Sequence, residues 1–427
     1  MSIFNSLYIG VNGLQAHGDA ISIVGDNIAN ASTVGYKRDR AEFSDMLGGV
    51  IDGQRAGGGV HLGASQTMFQ QGQITTTGSP LDMALNGHGL FVVKGNHDGR
   101  SSSFYTRNGQ FSLDSTGFVV NPGGLRLQGY TIDTTGTRSQ NIGDIDLSNR
   151  QSPAVATTSA KMTLNLDSQS ATPAAAWDPA NPTTTSNYST SSTTYDSLGK
   201  AHQTQVYFRN NGAGAWEWHA MVDGGDLTGG TAGVQTEVAS GTMTFNTNGA
   251  LQAQSTIASS ANFLNATPNQ VIAFNFGDDI ASGGTGLAGT TQYASTSAVS
   301  ATDIDGRASG KLTDVAVNSD GTIMGTYDNG QTEKIAQVAV ASFQNEAGLT
   351  RSGDNLYTES ANSGQPLVDS AGTGARGSIA GGSLEASNVD LSNELVTLIA
   401  YQRAFEANSK TVTTANEMLQ TVSNLKQ

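Results

Sequence analysis

Six histidines stand in the chain, at positions 17, 61, 88, 97, 202 and 219, and imidazole is the side chain most readily recruited to bind a metal or move a proton. Their spacing supports neither role. There is no HExxH and no other compact ligand pair, so no metal site is expected. The absence of cysteine removes disulfides, thiol nucleophiles and thiolate metal sites together. G-x-S-x-G is absent, and nothing in the order of serines, histidines and acids marks an oxyanion hole. Asp303-Ile304-Asp305-Gly306 resembles only the opening of a calcium loop and reads as a turn. Gly87-His88-Gly89 runs into a predicted strand, Leu90 to Val93, with no following helix to cradle a phosphate. Trp216 and Trp218 share one face of a predicted strand, where a core or subunit contact is expected ahead of sugar stacking. Neither an enzyme nor a cofactor is expected.

The stronger signal lies at the chain ends. An apolar residue recurs every seventh position at Leu7, Leu14, Ile21 and Ile28, with Phe4 and Val11 in a second row, and again at Leu391, Leu398, Phe405, Val412 and Leu419, with Leu395 beside them. A seven-residue repeat is the seam of a coiled coil, because slight underwinding keeps the row facing a partner helix. Helices are therefore predicted over 1–30 and 386–427. Gly10, Gly13, Gly18 and Gly25 weaken the first, since glycine costs about 1 kcal/mol per helix position relative to alanine, and they also let a neighbouring backbone come close. The second opens on Ser387, Asn388 and Asp390, an S-x-x-D capping signal. Beside its apolar row runs a polar one, Gln402, Ser409, Asn416 and Ser423.

Between the ends the period drops to two and turn signals multiply. Asp114-Ser115-Thr116-Gly117, Asn121-Pro122-Gly123-Gly124, Ser319-Asp320-Gly321 and Asp328-Asn329-Gly330 punctuate short apolar runs, as in a β-meander. Residues 150–305 are rich in Ser, Thr and Gly around predicted strands at Lys161–Leu166, Gln203–Phe208 and Trp216–Val222, and read as a separate domain inserted into the first. Residues 31–70 show no sustained period and are expected to be an extended connector. The fold class is thus multidomain α+β. Terminal helices (1–30 and 386–427) carry the coiled-coil seam, and between them lie a β-rich domain split in sequence (71–149 and 306–385) and a β domain inserted into it (150–305).

Composition narrows the partners. The chain of 427 residues carries a formal charge of -15 with only 13% charged residues, which disfavours nucleic acid. No segment approaches the ~20 apolar residues of a membrane span, and polar residues interrupt the N-terminus where a cleaved leader would need an apolar run. Cytoplasm is the default on these grounds, although so little Lys, Glu and Cys also suits an exported surface protein.

NIANASTVGYK, from Asn27, Ile28, Ala29 and Asn30 through Gly35, Tyr36 and Lys37, resembles the shared segment of the bacterial flagellar rod, hook and hook-associated axial proteins. FQQGQITTTGSPLDMALNGHGLFVV (69–93) and YTRNGQFSLDSTGFVVNPGGLRLQGY (105–130) resemble that family's β segments, and residues 381–422 its terminal signature. YDSLGKAHQTQVYF (195–208) is similar to the inserted domain of the family's hook branch, which favours hook over the shorter distal rod. The resemblance implies a structural subunit of a short curved tube that works as a universal joint between rod and filament and encloses an export channel. Its implied partners are many copies of itself, the rod at the proximal end, a cap during assembly, junction proteins at the distal end and the export apparatus. It also implies a location outside the cell, reached without a cleaved signal and without membrane insertion. On this resemblance the terminal helices would pair as a coiled coil and form the innermost layer, followed outward by the split β-rich domain and the inserted β-sandwich or barrel-like domain. With the apolar rows packed between helices, the polar row Gln402, Ser409, Asn416 and Ser423 is then expected to face the channel. The rival from another class is an extracellular β-rich adhesin or carbohydrate-binding protein.

Overall fold

The computed structural model describes residues 3–51, 54–133, 136–148 and 150–424. The chain begins and ends in helices, α1 (Ile3–Ala29) and α2 (Leu391–Asn424), and the body between them is β-rich. Helix α2 is capped by Asp390, whose carboxylate accepts the Ser392 and Asn393 N–H groups at 2.9 and 3.2 Å. This corrects the expected cap: the Ser387 hydroxyl reaches only the Val389 N–H, at 3.3 Å, because residues 386–390 lie before the first helical turn.

Two compact units divide the chain. The first holds residues 1–150, 314–326 and 332–427. Within it the two helices run antiparallel, since the order of contacts Gly10 to Val412, Gly13 to Asn408 and Asn27 to Glu394 reverses from one to the other. Glycine makes this approach possible. A Cβ on Gly10 would stand 2.8 Å from Val412 Cγ2, and one on Gly13 would stand 2.6 Å from Asn408 Oδ1.

Residues 31–70, expected as a connector, contain a hairpin instead. Strands β1 (Asp39–Ile51) and β2 (Gln54–Thr67) pair antiparallel from Asp39 opposite Thr67 outward, with three register shifts. The missing period has a physical reason. Glycines and bulges break the alternation, and a two-stranded ribbon resting on a helix has no buried sheet face to impose one. Asn12 of α1 donates to Gly58 O at 3.1 Å, and the Phe43 ring sits 5.3 Å from His17 of α1 and 5.7 Å from Tyr401 of α2.

The main sheet of the first unit takes strands from both sides of the second unit in sequence. In spatial order they are Thr322–Tyr327, Thr332–Ser342, Arg126–Ile132, Leu90–His97, Arg100–Thr106, Leu356–Thr358 and Thr350–Arg351, all antiparallel. Leu90, Val92, Tyr105, Tyr130, Ala339, Ala341, Phe343 and Tyr357 form one of its cores, at the period of two that a half-buried sheet imposes. Two short pairings lead back to the helices: Met83–Asn86 with Ser378–Gly381, and Ile74–Thr76 with Ser383–Glu385.

The second unit holds residues 151–313 and 327–331. Its five-stranded meander runs through Tyr188–Tyr195, Ala201–Gly212, Ala215–Asp223, Gln235–Phe245 and Leu251–Ser259, and a three-stranded sheet joins Ala273–Asn275, Ser159–Asn165 and Ala298–Ile304. Both contribute side chains to a single core in which Trp216 and Trp218 are fully buried. Gly241 lies under Trp218, where a Cβ would meet Cζ2 at 2.6 Å. Asp305 accepts the N–H groups of Thr158 and Ser159 at 2.9 and 3.0 Å, which gives this acid a structural duty.

Candidate assembly site at the joined chain ends

The segment that leaves α1 folds into a buried polar junction. Asn30 closes the helix, its N–H shared between Asp26 O at 3.1 Å and Asn27 O at 3.2 Å. Gly35 then turns the chain at φ +69°, with its N–H on Glu385 O at 2.7 Å, and any Cβ there would collide with the Arg107 backbone at 2.6 Å. Lys37 follows, fully buried. Its ammonium donates to Glu385 Oε1 at 2.5 Å and to Gln70 O at 2.7 Å. Glu385 also accepts Arg107 Nη1 at 3.2 Å and Gly72 N–H at 2.8 Å, so one carboxylate meets two cations without water. Burial pushes the Lys37 ammonium below its ordinary range, and Glu385 opposes that shift.

A second cluster lies beside it. Fully buried Asn27 donates to Asp39 O at 2.8 Å and to Glu394 Oε2 at 3.3 Å, while its carbonyl accepts Asp39 N–H at 2.9 Å and Tyr36 OH at 3.3 Å. Glu394, in the first turn of α2, also pairs with Arg38 at 3.3 Å. Arg351 bonds Asp39 at 2.9 Å, donates to Lys37 O, and stands 5.1 Å above the Tyr36 ring. Burial pushes the neighbouring Tyr357 hydroxyl up to about 12. Asn388 completes the junction, accepting Arg38 N–H at 2.8 Å and donating to Met68 O at 2.7 Å. Residues after α1 and before α2 are thereby fixed to each other by charge-assisted bonds.

Above this junction the helices expose apolar side chains. On α1, Phe4, Tyr8 and Val11 are exposed, whereas Leu7, Leu14, Ile21 and Ile28 are half-buried. On α2, Leu391, Leu395, Val396, Ile399, Phe405, Met418 and Val422 are exposed, and Leu398, Val412 and Leu419 are half-buried. The deepest positions of α1 are instead Gly10, Gly13, Ala16, Ala20 and Asn27, small or polar residues, with Val24 as the one larger apolar side chain among them. Gln402, Asn416 and Ser423 are exposed and Ser409 is half-buried. Ile28 and Ala29 end the first helix, with Ala29 exposed. Sequence spacing did not single out Arg107, Glu385, Glu394 or Arg351, and it read Asn388 only as part of a helix cap.

Among the described residues no group of three or more His, Asp or Glu side chains could hold a metal, and no helix is long and apolar enough to cross a membrane.

Comparison with known proteins follows the same layout. Residues 7–37 match the flagella basal body rod protein family and residues 380–425 the C-terminal family of flagellar basal body rod FlgEFG proteins. Residues 84–160 match the flagellar hook protein FlgE/F/G D1 domain, and residues 165–307 the flagellar basal body protein FlaE D2 domain. The flagellar hook protein FlgE of Escherichia coli is 35% identical, covering 97% of this chain and 98% of its own. That of Salmonella typhimurium is 34% identical over the same shares. That of Treponema pallidum is 31% identical and is covered end to end. Since the likeness takes in both helices, the divided sheet and the second unit alike, the chain belongs to the flagellar hook protein family.

Proposed function

We propose that the chain is a hook subunit that polymerises into a short curved tube, transmits torque from rod to filament by bending, and encloses the path of exported chains. One observation carries this reading. The two terminal helices touch each other through glycines and leave Phe4, Tyr8 and Val11 on one and Leu391, Leu395, Val396, Ile399, Phe405, Met418 and Val422 on the other in solvent. Apolar surface on that scale, on paired helices, is completed by copies of the same chain. The helices act as a coiled coil forming the innermost layer (1–30 and 386–427), with the split β domain (71–149 and 306–385) next and the inserted sandwich-like domain (150–305) outermost. Within the inner layer, the row Gln402, Ser409, Asn416 and Ser423 faces the channel, where neutral polar groups adhere weakly to passing chains. Rod, cap, junction proteins and the export apparatus are its partners outside the homopolymer.

The test is electron microscopy of the purified chain under polymerising conditions. Curved short tubes are expected from the whole chain, and a folded but non-assembling monomer after deletion of residues 1–30. Straight rods, or tubes from the truncated chain, would overturn the proposal.

A further inference from the structure

Residues 167–187 of the second unit leave the sheets and pass over the face of the meander that points away from its core. Asn210 donates to Ser170 O at 2.7 Å and Arg209 to Ala175 O at 3.1 Å, which lays the segment across the strands, and Asn187 folds the segment back on itself by donating to Ala171 O at 2.7 Å. Trp177 closes it. Its ring stacks on His219 at 4.0 Å with 7° between planes, lies 5.8 Å from Tyr207, and its indole N–H donates to Glu237 Oε2 at 3.1 Å. The same carboxylate oxygen stands 2.9 Å from His219 Nδ1.

The imidazole faces a carboxylate from each of its two nitrogens. A neutral ring has one N–H, which serves Glu237, and leaves Nε2 buried without a hydrogen-bond partner, 4.0 Å from the Glu217 carboxylate. A protonated ring offers N–H groups toward both Glu237 and Glu217 and places a cation against the face of Trp177. Arg209 on this face is engaged with Glu217 at 3.6 Å and with Asn211 and Ala175, and Asp223 farther along the strand accepts the N–H groups of Gly225 and Gly233. Asp178 beside Trp177 is turned to its own loop, accepting from Asn181 at 2.8 Å and Ala180 at 3.0 Å.

We propose that residues 167–187 are a proton-controlled strap, held shut over the outer sheet face when His219 is charged and loosened when it is neutral. Acidification therefore closes the strap and alkaline conditions free the Tyr207 and Arg209 face beneath it.

The experiment compares the full-length chain at about pH 8 and about pH 5. Trp216 and Trp218 are buried, so a collisional quencher of indole fluorescence reads Trp177. Amide exchange of residues 171–177, corrected for intrinsic pH dependence, is expected to slow about tenfold at the acid end, as a partly desolvated cation set against the Trp177 ring would give. Quenching of Trp177 should fall in parallel. His219→Gln should abolish both responses, and the partly exposed Glu217→Gln, which leaves the core untouched, should weaken them. A wild-type strap indifferent to pH, or a response that survives both variants, would overturn the proposal.

Discussion

Replacing Glu385 with glutamine should cost more than removing its closest cation. In the Glu385→Gln chain, the Lys37 and Arg107 side chains stay buried with no carboxylate between them, and the ammonium keeps only neutral acceptors, Gln70 O at 2.7 Å and the new amide carbonyl. Leaving a buried charge uncompensated costs about 3–5 kcal/mol. In Lys37→Met, by contrast, Glu385 keeps Arg107 Nη1 at 3.2 Å and Gly72 N–H at 2.8 Å, and an ammonium that burial disfavours is gone. That change should cost about 1–2 kcal/mol, the value of a charged hydrogen bond less the relief of desolvation. The gap of ~2 kcal/mol corresponds to roughly a 30-fold difference in the unfolding constant. The assay must separate the two units, and the sequence permits it. All three tryptophans, at 177, 216 and 218, lie in the second unit, so fluorescence follows that unit while amide exchange of residues 83–106 follows the first. Urea titration should show the exchange-detected transition moved down and the fluorescence transition unmoved. If Lys37→Met proves the worse of the two, or if Glu385→Gln lies within about 0.5 kcal/mol of wild type, the account of the junction is wrong.

Three further outcomes follow from the helices. Burial lowers the His17 imidazole from its ordinary value, and its Nδ1 has no partner between Phe43 and Tyr401, so its contribution is complete above about pH 6.5 and is lost as the pH falls through that value toward the folded one. Exchange protection along α1 should decline on acidification and become pH-independent in His17→Phe; equal protection at both ends of the range sinks this. Gly10→Leu should leave helix content unchanged or higher, as glycine is the poorer helix former by about 1 kcal/mol, yet prevent tube formation because its Cβ begins 2.8 Å from Val412. Tubes at the wild-type rate would refute the close approach. Changing Gln402, Ser409 and Asn416 together to leucine should impair passage of filament subunits while tubes still form, and normal filament growth counts against their channel position.

The helices were legible because a seven-residue period survives any context, and turns such as Asp114–Gly117 and Asp328–Gly330 were legible because glycine at positive φ has no substitute there. Gly10 and Gly13 could be read as helix-weakening or as places of close approach, and only the facing residues Val412 and Asn408 decide between these. The hairpin was invisible because no buried face wrote a period into residues 39–67. The junction was invisible for another reason: Lys37 stands in a recognisable segment, but its partner Glu385 is separated by 348 positions and carries no local mark of burial. Its neighbour Arg107 looks from sequence like any turn-flanking surface cation.

The reach of that junction along the chain sets an order of events. A chain made from its N-terminus meets Lys37 and Arg107 early, but their shared carboxylate arrives only near the end, after the whole second unit has been delivered. The second unit is almost continuous in sequence and needs nothing from either terminus for its core. Folding must therefore finish in the unit where it starts, with the first unit waiting open until its last tenth is present. A subunit with its tail missing has no means of closing around Lys37, which makes the tail a check on completeness as well as a helix.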